Sequence, residues 1–207
     1  GDKIGNIKDF TYIEYIIPGL IIIPIITNSY MNVVGSFYSG RFQKSTEELL
    51  VSPVPNYIIL FGYVSGGVLR AFIVGFAVYL VTIFFIDIPI NNLPFVILIT
   101  FLTAFLFSTA GFINAAYAKS FDDINIVPTF VLNPLTYLGG TFYAIDSLPE
   151  IWQDISLFNP IAYIVSAFRY GFLGLEENSV LLSLAIIIVF IFLLFKIGLV
   201  MLEKGIG

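Results

Sequence analysis

Neither cysteine nor histidine occurs among the 207 residues. Their absence removes thiol nucleophiles, disulfides, Cys/His zinc sites, haem ligation and Ser-His-Asp triads together. Redox compartment is unreadable for the same reason, since no thiol is there to oxidise. Charge is the second scarcity: 11% of residues are charged, against roughly 25% in a soluble domain. Charged side chains are missing from residues 15–40, 71–86, 88–118, 124–145 and 178–195. A net charge of −5 argues against nucleic acid as a partner, because neutralising phosphates takes a surplus of Lys and Arg. No G-x-x-x-x-G-K-[ST] phosphate loop is present, so ATP is not bound here in that way.

What remains is apolar: 58% of the residues are hydrophobic. A bilayer core of about 30 Å needs roughly 20 mostly apolar helical residues. The uncharged windows are that long or nearly so, and a soluble core of this size would not need them. They predict an all-α polytopic membrane protein, a helical bundle forming one transmembrane domain over 1–207. Five spans are expected, at about Phe10 to Tyr38 with Pro18 and Pro24 inside, Asn56 to Ile86, Leu93 to Tyr117, Ile126 to Tyr143, and Ser179 to Leu202. Asn133-Pro134 lies within the fourth and predicts a kink there. The chain starts at Gly1 with no basic n-region and short apolar core behind it, which reads as the remainder of a longer chain.

Five spans put the two ends on opposite faces. One face gathers 39–55, 118–125 and 203–207, with Arg41, Lys44, Lys119 and Lys204, and Lys196 snorkelling toward it. The other gathers 1–9, 87–92 and 145–177. It carries Lys3, Lys8 and Arg169 against Asp2, Asp9, Asp87, Asp146, Glu150, Asp154, Glu176 and Glu177. Counting Lys and Arg alone gives five to three, and the positive-inside rule then makes the first face cytoplasmic. Between Asp154 and Arg169 lies ISLFNPIAYIVSAF, too short to cross. It predicts an outer interfacial or re-entrant segment of one or two short helices broken at Asn159-Pro160.

The most polar stretch, RFQKSTEELLVSPVP at 41–55, falls on the predicted cytoplasmic face. Ser45 followed by Glu48 is a capping-box pattern. Pro53 and Pro55 forbid continuation, so one or two helical turns are expected, with Leu49, Leu50 and Val51 forming an apolar patch. Two uses fit: a connector resting on head groups, or a knob that docks into a soluble partner. In KSFDDIN, at 119–125, Asp122 or Asp123 can cap the helix that follows, with Pro128 tolerated in its first turns. A paired-carboxylate metal site there lacks any further ligand nearby. Arg70 lies 17 residues from Asp87, about 26 Å along a helix. That depth predicts an arginine snorkelling at the cytoplasmic boundary rather than a substrate contact. Gly62-x-x-x-Gly66 permits close helix approach, within the subunit or between subunits. The 22 Phe and 12 Tyr suit a lateral path for an amphiphile and lipid-facing helices alike.

Nearly the whole chain resembles the type-2 ABC-exporter permease family. The likeness runs in order through YIEYIIPGLIIIPIITNSYMNVVGSFYSGRFQKSTEELLVSPVP, GYVSGGVLRAFIVG, KSFDDINIVPTFVLNPLTYLGGTFY and NPIAYIVSAFRYGFLG. It implies that Ser45 to Val51 is the family's coupling helix, seated in a groove of a separate ATPase subunit. Ser45, Thr46, Glu47, Glu48, Leu49 and Leu50 would then contact that subunit, with Asp122 and Asp123 as a second, smaller contact. Asn159, Pro160 and Arg169 match a family signature of structural role, although Arg169 on its own suits a lipid phosphate or an acidic neighbour. The five spans would be the family's second to sixth, its amphipathic surface helix and first span lying before Gly1.

The resulting expectation is a permease subunit of an ATP-driven exporter in a prokaryotic inner membrane, with 39–55, 118–125 and the C-terminus cytoplasmic. It would pair with a second permease, in a homodimer, and with two ATPase subunits that carry ATP and Mg. No catalytic, cofactor or metal residue is assigned to this chain. Drugs, polysaccharides, lipids and glycolipids are the family's cargo range, and an amphiphile is the expected class. A secondary transporter or channel is the first rival and would place ionisable residues at mid-membrane. A lipid-modifying membrane enzyme is the second and would need convergent acids and bases.

Overall fold

The computed structural model describes residues 10–50, 52–86 and 88–204. The side chains of Glu47 and Leu50, the Val51 of the expected apolar patch, Asp87 and the charges placed in 1–9 lie outside the described residues. So does the chain end at 205–207.

Among the described residues every regular element is helical, and four helices are long and apolar enough to cross a membrane. Helix α1, Tyr12–Phe42, begins at a reciprocal capping box in which Thr11 Oγ1 accepts from the Glu14 amide and Glu14 Oε2 accepts from the Thr11 amide at 2.8 Å. A short helix α2, Ser45–Leu50, follows it. Helix α3, Asn56–Ile83, has Pro55 at its cap. Helix α4, Leu93–Tyr117, is capped by Asn92, whose side chain accepts from the Phe95 amide at 3.1 Å.

The fourth expected span is shorter than the sequence suggests. It consists of α5, Asp123–Val127, a π-helical turn at Pro128–Leu132, and α6, Asn133–Leu138. Pro128 and Pro134 each lack an N–H, and the ladder slips so that the Asn133 amide donates to the Pro128 carbonyl. The helix stops at Leu138 rather than Tyr143 because Gly139 and Gly140 turn the chain, Gly140 with φ +73°. Beyond a 3-10 turn at Ile145–Ser147 come α7, Glu150–Leu157, and α8, Pro160–Leu173, broken apart at Asn159-Pro160. Helix α9, Val180–Glu203, closes the bundle.

Burial is inverted relative to a soluble protein. Helices α1, α4 and α8 form the core, whereas α3 and α9 are peripheral and expose Leu69, Ile73 and Phe76, and Leu181, Val189 and Phe192. Such large uncovered apolar surface belongs against lipid or another subunit. Close approach in the core runs through small residues. Gly111 of α4 lies against the Tyr30 carbonyl of α1, and Gly67 of α3 against the Ser29 carbonyl of α1 and Ser108 of α4. The expected Gly62/Gly66 contact within the subunit is absent among the described residues. Gly62 has open space around it, and Gly66 meets only Asn32.

Helix α8 is buried in one end of the bundle rather than lying on its surface. Its last carbonyls, those of Gly171 and Phe172, accept from the amides of Asn92 and Asn91. That end therefore gathers the start of α1, residues 84–86 and 88–92, 139–149, α7, α8 and 174–179. The opposite end gathers α2, the α4–α5 loop and the end of α9, where Gly198 packs on Leu60 and Phe112.

Candidate functional site

At the α2 end, Arg41 reaches from the last turn of α1 to the end of α4. Its Nη1 donates to the carbonyls of Ala115, Ala116 and Ala118 at 3.0, 2.8 and 3.2 Å. These are among the carbonyls a helix leaves unpaired at its C-terminus, and a cation there also suits the helix dipole. The guanidinium thus pins α1 to α4 next to α2. Phe121 of the α4–α5 loop closes the junction by ring contacts to Tyr38 at 4.8 Å and Phe42 at 5.6 Å.

Helix α2 starts on a reversal, with Lys44 at φ +61°. The expected capping box does not form: Ser45 is the first helical residue, and its hydroxyl donates back to the Gly40 carbonyl at 3.2 Å. Thr46 is buried against Gly40, its hydroxyl without a partner. Gly40 is needed there, since a Cβ would lie 2.6 Å from Thr46 Oγ1. Lys44, Ser45 and Glu48 are exposed, forming a polar edge. Leu49 instead lines an apolar groove with Val54, Ile58, Ile59, Gly62 and Tyr63.

In the α4–α5 loop the cap falls to Ser120 and Asp123, not Asp122. Ser120 Oγ accepts from the Asp123 amide at 3.2 Å, while Asp123 Oδ2 accepts from the Lys119 and Ser120 amides at 2.9 and 3.0 Å. The Lys119 amide, and Ser120 after it, hold the Asp123 carboxyl below the usual carboxylate range. Asn114 ties the loop back to α4 by donating to the Ile124 carbonyl at 3.1 Å. Asp122 is exposed beside this cap.

At the other end, Arg169 is the largest fully buried side chain. It ion-pairs with Glu177 at 2.9 Å, donates to the carbonyls of Tyr15, Gly140 and Thr141, and stacks over the Tyr15 ring at 3.8 Å. The Tyr15 hydroxyl donates to the other Glu177 oxygen. Of the two neighbours the sequence allowed for Arg169, the acidic one is there. Asn159 caps α8 by accepting from the Ile161 amide at 3.0 Å and donates to the Leu135 carbonyl at 2.6 Å, with Pro160 at the first helical position. Together these residues knit α1, α6, α8 and the 174–179 loop.

Arg70 lies near the middle of α3. Helix α3 continues to Asn56, so Arg70 stands about 21 Å from one end and 20 Å from the other. Its Nε donates to Asn28 Oδ1 at 3.4 Å, itself midway along α1.

Two polar corners thus lie at one end, a buried arginine clamp at the other and a segmented helix between them. The model of the ABC-2 type transporter family matches residues 2–173. The chain belongs to that family. Two relatives of this ABC-2 permease place it further. It is 47% identical over its full length to the inner membrane transport permease YadH of Escherichia coli K12, covering 81% of that protein. It is 22% identical over 99% of its length to nodulation protein J of Rhizobium leguminosarum bv. viciae, covering 79% of it. No solved structure matches this permease. As a family member it is a permease subunit of an ABC transporter.

The Arg41 cap was not legible in the sequence, because an arginine at the end of one span gives no sign of which helix end it meets. The α1 capping box was legible as Thr11-x-x-Glu14, just inside a span expected from Phe10.

Proposed function

We propose that this permease is the membrane half of an ATP-driven exporter of an amphiphilic, lipid-linked or drug-like cargo. It works as a single-domain subunit in a dimer of two permeases embedded in inner-membrane lipid. Two ATPase subunits, which hold the ATP and Mg, sit beneath, and this chain needs no bound cofactor of its own. Helix α2 faces the cytoplasm, as do the 118–125 loop and the chain's C-terminus. The name of the E. coli relative supports the location, and the five-to-three balance of Lys and Arg supports the orientation.

One observation carries the reading. Arg41 and the Phe121 contacts bind the α4–α5 loop and the end of α4 to the end of α1. Ser45 ties α2 to that same end through the Gly40 carbonyl, and α1 and α4 are the two most buried of the four long spans. A partner that pushes on Ser45, Thr46, Glu47, Glu48, Leu49 and Leu50, and more lightly on Asp122 and Asp123, moves the bundle core and not a loose loop. Coupling of this kind needs the partner to contact the corner differently in its two states.

Two measurements test it. The absence of native cysteine allows single-site labelling, and Ser45 is exposed whereas Thr46 is buried. Ser45→Cys in otherwise native protein is expected to react with an impermeant thiol reagent in inverted vesicles and stay unlabelled in intact cells. Labelling from outside reverses the topology. Glu48→Lys is expected to reduce co-purification of the ATPase at least about fivefold, by setting like charge where opposite charge docked, with membrane yield unchanged. Undiminished association removes α2 from the interface.

A second reading, a transporter not coupled to ATP, draws on one observation: Arg70 stands at mid-helix, where such proteins keep their ionisable groups. ATP-independent cargo movement by purified permease in liposomes would favour it.

A further inference from the structure

We propose that Arg70, held by Asn28, is the binding point for the anionic head group of an amphiphilic cargo. The proposal deepens the transport reading above and rests on it. Arg70 is exposed at the middle of α3, and among the described residues its only hydrogen bond is the one from Nε to Asn28 Oδ1. The remaining guanidinium N–H groups have no partner among the described residues. A guanidinium in that position cannot face hydrocarbon without a cost of several kcal/mol, so water or an anion meets it.

The surroundings suit an anion that carries a tail. On this stretch of α1 the polar Thr27, Asn28 and Asn32 are at least partly uncovered, alongside the half-buried Ile23, Pro24 and Met31, and Asn32 lies against Gly66. The α1 strip is bordered on its far side by the π-helical turn and α6, where Thr27, Asn133 and Thr136 share a small, mostly apolar cleft with Ile23, Met31 and Leu132. On α3 itself the neighbours are Leu69 and Ile73, 64% and 62% exposed. The guanidinium therefore sits where a polar strip meets an uncovered apolar face. A planar fork of donors takes phosphate or carboxylate oxygens in pairs, and the apolar face takes the chain attached to them. The described helices put no carboxylate beside Arg70 to compete.

The test uses the full-length protein in inverted membrane vesicles. Gly66→Cys places a thiol one turn from Arg70, where the new Cβ meets only Asn32 Oδ1 at 3.5 Å. Reaction rates with an anionic sulfonate and a cationic trimethylammonium methanethiosulfonate are each normalised to a free thiol. The anionic reagent is expected to be favoured roughly tenfold, by attraction of one and repulsion of the other. Arg70→Gln on this background is expected to abolish the preference and Arg70→Lys to keep it. Dodecyl phosphate is expected to protect the thiol, and dodecyltrimethylammonium or inorganic phosphate at equal concentration is not.

No labelling by either reagent means that protein or lipid covers the face, and overturns the proposal. An unchanged preference in Arg70→Gln does the same. Equal protection by inorganic phosphate overturns the amphiphilic cargo. Because no ATPase takes part, these outcomes are read separately from those that test nucleotide coupling.

Discussion

Arg169→Ala is expected to lower the thermal midpoint of the detergent-purified permease by roughly 10 °C, following from a loss of about 3–5 kcal/mol when one partner of a buried ion pair is removed. The size follows from what the guanidinium leaves behind. Glu177 loses its counter-charge while its carboxylate stays 14% exposed. The carbonyls of Tyr15, Gly140 and Thr141 lose their donor, and the Tyr15 ring loses the cation stacked on it. Lysine does not substitute, because a point charge on a flexible stem cannot serve an ion pair, three carbonyls and a ring face from one plane. Arg169→Lys is therefore expected to fall close to Arg169→Ala. The double variant Arg169→Met with Glu177→Gln separates the causes. If the stranded carboxylate dominates, the double is more stable than Arg169→Ala alone, since no charge is then left buried. A single variant melting within two degrees of wild type, or a double no better than the single, removes the clamp from the stability of the fold.

That clamp also shows what a linear reading can reach. Helix α4 matches the span expected at about Leu93 to Tyr117, because the run of uncharged residues between the polar stretch at 87–92 and Lys119 is long enough to set it. The all-α class followed from the same scarcity of charge. The break at Asn159-Pro160 was legible from the missing amide, and an acidic neighbour, though not which one, was among the two partners allowed for Arg169. Contacts between distant segments were not. Nothing in sequence spacing links Arg41 to carbonyls 74 or more residues away, or Tyr15 to Arg169. The count from Asp87 gave Arg70 a distance from one end only, and α3, which starts at Asn56 as expected, places it near the middle of the helix. The Ser45 cap misled for a local reason. Its hydroxyl had two candidate uses, and the left-handed turn at Lys44 brings the Gly40 carbonyl within reach first. Local pairs one turn apart are written in the sequence as spacing. Pairs made by packing are written only in the shapes that pack.

Glycine spacing carries the same lesson in its sharpest form, and here the expected result is a contrast between neighbours. Gly67→Val is expected to cost at least about 3 kcal/mol and most of the folded yield in detergent, in the upper range for overpacking a tight contact. A Cβ at 67 would lie 2.2 Å from Ser108 Oγ, 2.8 Å from the Ser29 carbonyl and 2.8 Å from Val33 Cγ2. The serine hydroxyl can rotate away, although it would surrender its bond to that same carbonyl. The carbonyl cannot move without moving α1. Three helices would have to part at one point, and in lipid no hydrophobic force restores them, since packing itself holds the spans together. Gly62→Val, five positions earlier, meets nothing within 4 Å and is expected to leave the monomer's stability within about 0.5 kcal/mol of wild type, as surface substitutions do. The Gly-x-x-x-Gly spacing points at 62 and 66, yet the crowded glycine is 67, because α3 turns Gly67 into the junction with α1 and α4, while Gly66 only touches Asn32 at its edge and Gly62 meets nothing. Equal damage at both positions in the isolated subunit would mean that α3 is rotated from the orientation described. Damage at 62 seen only in dimer yield would instead seat the second copy on the uncovered face of α3.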